Sequence, residues 1–384
     1  MKIIIAPDSF KESLTAKQVC QAIETGLKRV WQEADYVHIP LADGGEGTVQ
    51  SLVDATQGEI IDCAVTGPLG HQVDAFYGRL GGELSHTAVI EMAAASGLHH
   101  VPSAQRDPKA TTSFGTGELI AHALENGAKK LIIGLGGSAT NDGGMGMLEA
   151  LGVTFLDDNS HPISGNGIGL TQIKSINVDG LHSQLAACEI VIASDVNNPL
   201  CGEHGATATF GKQKGATTED TQLLDQALSD YADLIASQFD RQVKDLPGAG
   251  AAGGLGAAFL GFTSATLKPG IDIVLETLSI DSHLQGADLV ITGEGRIDWQ
   301  SAHGKTPVGI AKAAKKFDLP VIALAGCVGD NYQAVYEHGI DAVFAAIPRP
   351  FDLETAFAEA EVNMANLAEN VARTVKIGMI RKNG

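Results

Sequence analysis

The chain has 384 residues carrying 46 acidic against 26 basic side chains, for a formal net charge of −20. An acid excess of that size argues against a nucleic-acid binder, whose affinity for phosphate backbones comes mainly from clustered Lys and Arg. With 44% hydrophobic residues and 46 glycines in no fixed period, disorder and collagen are excluded too, and the length predicts two or three domains.

The N-terminus reads as a buried strand: Ile3-Ile4-Ile5-Ala6 before Pro7-Asp8 is too short an apolar run for a signal peptide. Thr15-Ala16-Lys17-Gln18 fits a capping box, and Val19, Ala22, Ile23, Leu27 and Val30 recur at helical spacing behind it. Tyr36 to Pro40 predicts a second strand. Ile60 to Val65, Val73 to Leu80 and Thr87 to Met92 are close-spaced strand segments joined by Gly/Pro turns, which predicts antiparallel pairing. A helix over 117–126, a strand over 131–134, a helix from Gly144, a strand over 190–193 and a helix over 223–239 follow. Leu246 to Leu267 carries no charge and is long enough to span a bilayer, but its glycines and Pro247 make it a buried Gly/Ala helix and loop. The strand-helix alternation returns at Asp288 to Thr292, from Pro307, at Val321 to Leu324, at Ala342 to Ala345 and from Leu353. Alternation at both ends implies one parallel sheet with right-handed crossovers. The predicted fold class is therefore α/β: a Rossmann-like domain built from both chain ends, residues 1–57 and 280–384, with a mixed-sheet α/β domain, 58–279, inserted in it and an active site in the cleft between them.

The five cysteines are scattered without a C-x-x-C pair, so neither a disulfide framework nor a zinc site is expected, and a reducing cytoplasm is the default. His99 and His100 are adjacent and are expected to point apart, and no histidine has metal-ligand spacing.

Glycines fall just after strands, in Gly44 to Gly47, in Gly136 to Gly144 and at Gly293 and Gly295. Ligands bind at the carboxyl ends of parallel strands, and glycine turns let backbone N–H groups approach a phosphate closely. Standard nucleotide motifs are absent. Gly304-Lys305-Thr306 resembles the end of a P-loop, but the leading glycine would fall at Trp299; Gly248 to Gly253 matches G-x-G-x-x-G without a strand before it. Neither a protein-kinase set nor a G-x-S-x-G elbow occurs.

Phosphoryl transfer needs carboxylates for Mg²⁺, cations for the moving charge, and a carboxylate to take the hydroxyl proton. The chain offers Asp8, Asp43, Asp195, Glu294 and Asp298 as acids, and Lys11, Lys214, Arg296 and Lys305 as cations in loops. Asp8 and Asp195 closely follow apolar strand runs, where side chains emerge at the ligand edge. Thr111-Thr112-Ser113-Phe114-Gly115-Thr116 puts four hydroxyls ahead of a helix, either as a cap or as a phosphate cradle.

The segments A-P-D-S-F-K-E-S-L-T-A (6–16), P-L-A-D-G-G-E-G-T (40–48), E-M-A-A-A-S-G-L (91–98), T-T-S-F-G-T-G-E-L-I (111–120), G-L-G-G-S-A-T-N-D-G-G (134–144), D-V-N-N-P-L (195–200) and I-T-G-E-G-R-I-D (291–298) resemble the bacterial glycerate kinase family, the two-domain type I kinases. The resemblance runs end to end. It implies ATP-dependent phosphorylation of D-glycerate in the cytoplasm by a monomer or homodimer, with 2-phosphoglycerate as product and 3-phosphoglycerate as the alternative. Combined with the residue reading, it assigns Asp195 or Asp8 as the base, with Lys11 and Arg296 holding the carboxylate or the transferred phosphoryl. Ser9, Arg296 and Asp298 are expected to bind glycerate. Thr112, Ser113, Gly115, Thr116, Gly136, Gly137, Ser138, Thr140, Asn141 and Lys214 are expected to bind ATP, and Asp43, Glu46 and Glu294 to hold Mg²⁺. The rival readings are a nicotinamide-dependent oxidoreductase, resting on Gly248 to Gly253, and a non-catalytic anion-binding protein.

Overall fold

The computed structural model describes residues 1–350 and 352–382. The chain divides into two compact units, residues 1–43 with the chain from Ile271 onward, and residues 44–270. These boundaries differ from the expected 57/58 and 279/280 for a packing reason. The helix Thr48–Thr56 lays Val49 and Val53 against Gly78, and the Val49 N–H donates to Glu91, so it belongs with the second sheet. Ile271 packs on Gly309 and belongs with the first unit.

The first unit has a five-stranded sheet in the order Ala342–Ala345, Val321–Ala325, Leu289–Thr292, Lys2–Ile5, Asp35–His38, and every pairing is parallel. Continuous apolar runs suit strands covered on both faces, and Ile3, Ile4, Ile5, Val290 and Ile291 are wholly buried. The predicted capping box is present: the Thr15 side chain accepts from the Gln18 N–H, and Gln18 returns the contact to Thr15. The helix it starts, Ala16–Lys28, buries Val19, Ile23 and Leu27. Its Gly26 lies so close to the C-terminal helix Ala360–Lys382 that a Cβ would stand 2.0 Å from the Ala365 carbonyl oxygen. Alanine's helix propensity advantage over glycine is only about 1 kcal/mol, whereas overpacking costs ~1–3 kcal/mol and a backbone oxygen cannot rotate aside. Gly26→Ala is therefore expected to lower the melting temperature in a thermal unfolding experiment.

The second unit has a six-stranded sheet in the order Thr266–Lys268, Glu189–Ala193, Lys130–Gly134, Thr87–Glu91, Gln72–Arg79, Glu59–Thr66. The two pairings that involve Gln72–Arg79 are antiparallel and the others parallel, so the sheet is mixed as the turn spacing predicts. Within the uncharged stretch the helix Ala251–Phe262 is buried almost throughout, and among the described residues no helix is long and apolar enough to cross a membrane. No strand precedes Gly248, which removes the structural context the dinucleotide motif requires. Ala252, Gly253 and Gly254 instead adopt left-handed conformations in succession, with Gly253 packed on Thr140 and Asn141 and Gly254 on Gly143. The rings of His99 and His100 do not point apart; they lie 4.0 Å from each other because both sit in the tight turn Leu98–His100.

Candidate functional site

In the first unit the strand Lys2–Ile5 delivers Asp8 to the carboxyl edge of the sheet, where the Asp8 N–H is fixed on the Gly293 carbonyl (2.8 Å). Its Oδ1 accepts the Ser9 N–H at 2.6 Å and its Oδ2 accepts the Thr306 hydroxyl at 2.6 Å. Burial, then the neighbouring Asp43 charge, pushes the Asp8 carboxyl up to about 6, with Thr306 and Ser9 opposing. Glu294 is raised as well, by burial first, with the Asp43 charge contributing in the same direction. It accepts the Ser301 hydroxyl and pairs with Lys305 Nζ at 3.4 Å. Sequence reasoning missed Thr306 and Ser301. The signal was the G-K-T fragment, which is no P-loop yet sets Lys305 on Glu294 and Thr306 on Asp8, side by side at the start of the helix Thr306–Lys315.

Asp8, Ser9, Lys11, Asp43, Glu294, Arg296 and Lys305 line one cavity of about 370 Å³. Lys11 is exposed there and has no ion pair among the described residues. Arg296 is exposed and reaches Asp298 at 3.2 Å. Asp298 itself caps the turn Trp299–Ala302 by accepting the Gln300 N–H (2.9 Å), so its carboxylate is largely committed to the fold. Among the described residues no three His, Cys, Asp or Glu side chains gather closely enough to hold a metal ion by themselves.

In the second unit the loop after Lys130–Gly134 leaves Gly136 and Gly137 exposed and Ser138 buried, with Gly137 in the left-handed region (φ +76°). The wholly enclosed Lys214 supports this loop from below. Its Nζ donates to Ser138 Oγ at 2.9 Å and to the Thr140 carbonyl at 2.6 Å. Burial pushes its amine down to about 8, opposed by Asp142. Asp142, absent from the expected site, is the other anchor: it accepts the Ser113 N–H and hydroxyl (both 2.7 Å) and the N–H groups of Gly144 and Gly146, and burial raises its carboxyl.

The hydroxyl row is spent inside the fold. Thr111 donates to the Ala139 carbonyl, Thr112 to the Gly165 carbonyl, Ser113 to Asp142, and Thr116 shares a hydrogen bond with Ser96. Gly115 is glycine because a Cβ there would meet the Thr66 carbonyl oxygen at 2.0 Å. These side chains fasten the start of the helix Phe114–Glu125. Thr140 Oγ1 and Asn141 Oδ1 are buried without a hydrogen-bond partner among the described residues, while Asn141 Nδ2 donates to Thr207. Asp195 follows Glu189–Ala193, is exposed, and accepts the Gly270 N–H at 3.1 Å. Glu46 is exposed in the loop before Thr48–Thr56. Beside it Glu91, also missed, is raised by burial and by Glu46 while it accepts the Val49 N–H.

Parallel strands whose carboxyl ends carry perturbed acids, cations and exposed glycine turns define an α/β enzyme that handles a small charged ligand. The glycerate kinase family model matches residues 3–376. A glycerate kinase of Haemophilus influenzae is 56% identical over 98% of this chain and 99% of the relative, and the glycerate 2-kinase of Escherichia coli is 52% identical over 99% of each. A crystal structure described as a glycerate kinase 2 from Salmonella typhimurium LT2 superposes with a TM-score of 0.92 at 53% identity, covering 99% of both chains. The chain belongs to the glycerate kinase family and is an enzyme of that family, a kinase.

Proposed function

We propose that the chain transfers the γ-phosphoryl group of ATP to the 2-hydroxyl of D-glycerate, releasing ADP and 2-phosphoglycerate, in the cytoplasm and in service of organic-acid catabolism that feeds lower glycolysis. The observation that carries this is the end-to-end relation to a glycerate 2-kinase, joined to a carboxylate, Asp8, whose affinity for a proton is raised toward neutrality.

Asp8 is the proton acceptor in this reading. A general base works best when its pKa lies near the operating pH, and two donors on Asp8 fix which lone pairs remain for the substrate hydroxyl. Asp195 is exposed and lacks that enclosure, so it is the second candidate. Lys11 and Arg296 receive the glycerate carboxylate, and Ser9 orients it. The nucleotide phosphates lie on the exposed Gly136-Gly137 turn and Ser138, braced by Lys214, with Thr140 and Asn141 behind them. The Thr112 to Thr116 segment supports that loop rather than cradling phosphate.

The residues fit a magnesium ion. Asp43 raises both Asp8 and Glu294, a mutual repulsion that a divalent cation relieves. Mg²⁺ is usually held by one or two carboxylates plus waters and substrate phosphates, so Asp43 and Glu294 suffice, with the exposed Glu46 as a further candidate. When bound, the ion neutralises charge on the phosphates. A protein of charge −20 repels anions overall, which makes strong metal dependence the expectation.

A coupled assay with D-glycerate and MgATP checks the position phosphorylated. Signal with enolase alone is the expected result, and a requirement for added mutase would assign the 3-hydroxyl instead.

A further inference from the structure

The cavity around Asp8 has two unlike halves. One is the charged edge already described. The other is apolar, built from Ile347 beyond the strand Ala342–Ala345, from Leu353, Ala356 and Phe357 on the short helix Leu353–Ala358, and from Ala360. Ile347 and Leu353 are 47% and 65% exposed, so the wall is open to a ligand and not sealed by packing.

Glycerate carries oxygen on each of its three carbons and cannot fill such a wall. The cavity volume of about 370 Å³ falls in the ~300–1,000 Å³ range of mostly apolar sites that enclose ligands larger than glycerate. Asp8, Asp43 and Glu294 on the floor repel a carboxylate, whereas Lys11 at the rim has no competing ion pair among the described residues. A carboxylate is therefore drawn to the rim, and whatever chain it carries is turned onto the apolar wall.

We propose that this wall is a second half-site that takes the aliphatic tail of a straight-chain carboxylic acid of about four to six carbons, anchored by its carboxylate on Lys11 and Arg296. This rests on the assignment of those two cations to the substrate carboxylate. Such an acid lacks the hydroxyl that accepts phosphate beside Asp8, so it binds without turning over and excludes glycerate.

Calorimetric titration of the full chain with propanoate, butanoate, pentanoate and hexanoate tests the half-site. The expected result is a Kd that tightens about fourfold per added methylene, the equivalent of ~0.8 kcal/mol per buried CH₂. Leu353→Ser changes an exposed residue that the fold tolerates, and with Phe357→Ser it should flatten that slope for the longer acids. Equal affinity along the series, or a slope unchanged in both variants, overturns the proposal. Lys11→Gln separates the two readings. If it leaves the KM for glycerate unmoved while the slope persists, the carboxylate assignment fails and the apolar half-site stands; if it weakens every acid alike and raises that KM, both stand.

Discussion

Asp8→Asn is expected to lower kcat about 10³-fold, within the ~10²–10⁴ range that a positioned general base contributes, without destabilising the protein. Asparagine keeps its oxygen for the Ser9 N–H and turns its NH₂ toward Thr306, whose hydroxyl rotates to accept it, but it cannot take a proton. The wild-type rate should climb with pH as this carboxyl titrates, no higher than about 6, the value to which burial and Asp43 push it without a bound cation, and the residual rate of the variant should lack that limb. Stability runs in the opposite sense. The folded protein binds this proton more tightly than the unfolded chain, whose carboxyl titrates near 3.8. Its favourable contribution is therefore complete below the unfolded value and lost as pH rises through about 6. At pH 8 the wild type carries a partly buried charge that the variant does not, so the variant should melt no lower than the wild type, and the difference should close near pH 4. Asp195→Asn is the companion measurement: a rate loss there with Asp8→Asn nearly unaffected would move the proton acceptor to Asp195.

The carboxylate at the end of the first strand was legible because an apolar run followed at once by Pro7-Asp8 leaves the side chain nowhere but the sheet edge. Both sheets were legible for a related reason: continuous apolar runs separated by helices read as parallel, and strands joined by Gly/Pro turns read as antiparallel. The partners of the carboxylates were not legible. Thr306 meets Asp8 and Ser301 meets Glu294 through tertiary folding, and no local spacing in the sequence encodes those meetings. The hydroxyl row before Phe114 was ambiguous because a phosphate cradle and a set of internal anchors use the same residue types. What separates them is Asp142, a buried carboxylate that collects Ser113 and two glycine N–H groups. The first boundary was off because Gly44 to Gly47 reads as a ligand loop of the first sheet and carries the helix after it into that domain, whereas Glu91 ties the helix to the second sheet.

Lys214→Met should weaken nucleotide binding. Methionine matches the length of lysine and ends the desolvation that pushes the amine down to about 8, which stabilises the variant. It also leaves Ser138 Oγ and the Thr140 carbonyl without their donor, and each buried unpaired group costs about 1–3 kcal/mol. These effects oppose one another, so the net loss of stability should be smaller than two orphaned groups imply. The loop that loses its brace is the one proposed to carry the phosphates, and the KM for ATP should rise tenfold or more, about 1.4 kcal/mol of lost interaction. Stability supplies an independent check. Between about 8 and the ordinary lysine value of 10.5 the unfolded chain holds more protons at this position, so the wild type gains stability as pH rises through that window, and the variant should lose this gain. Should the gain vanish while the KM for ATP holds steady, Lys214 is a structural brace only, and the nucleotide phosphates lie away from Gly136 to Ser138.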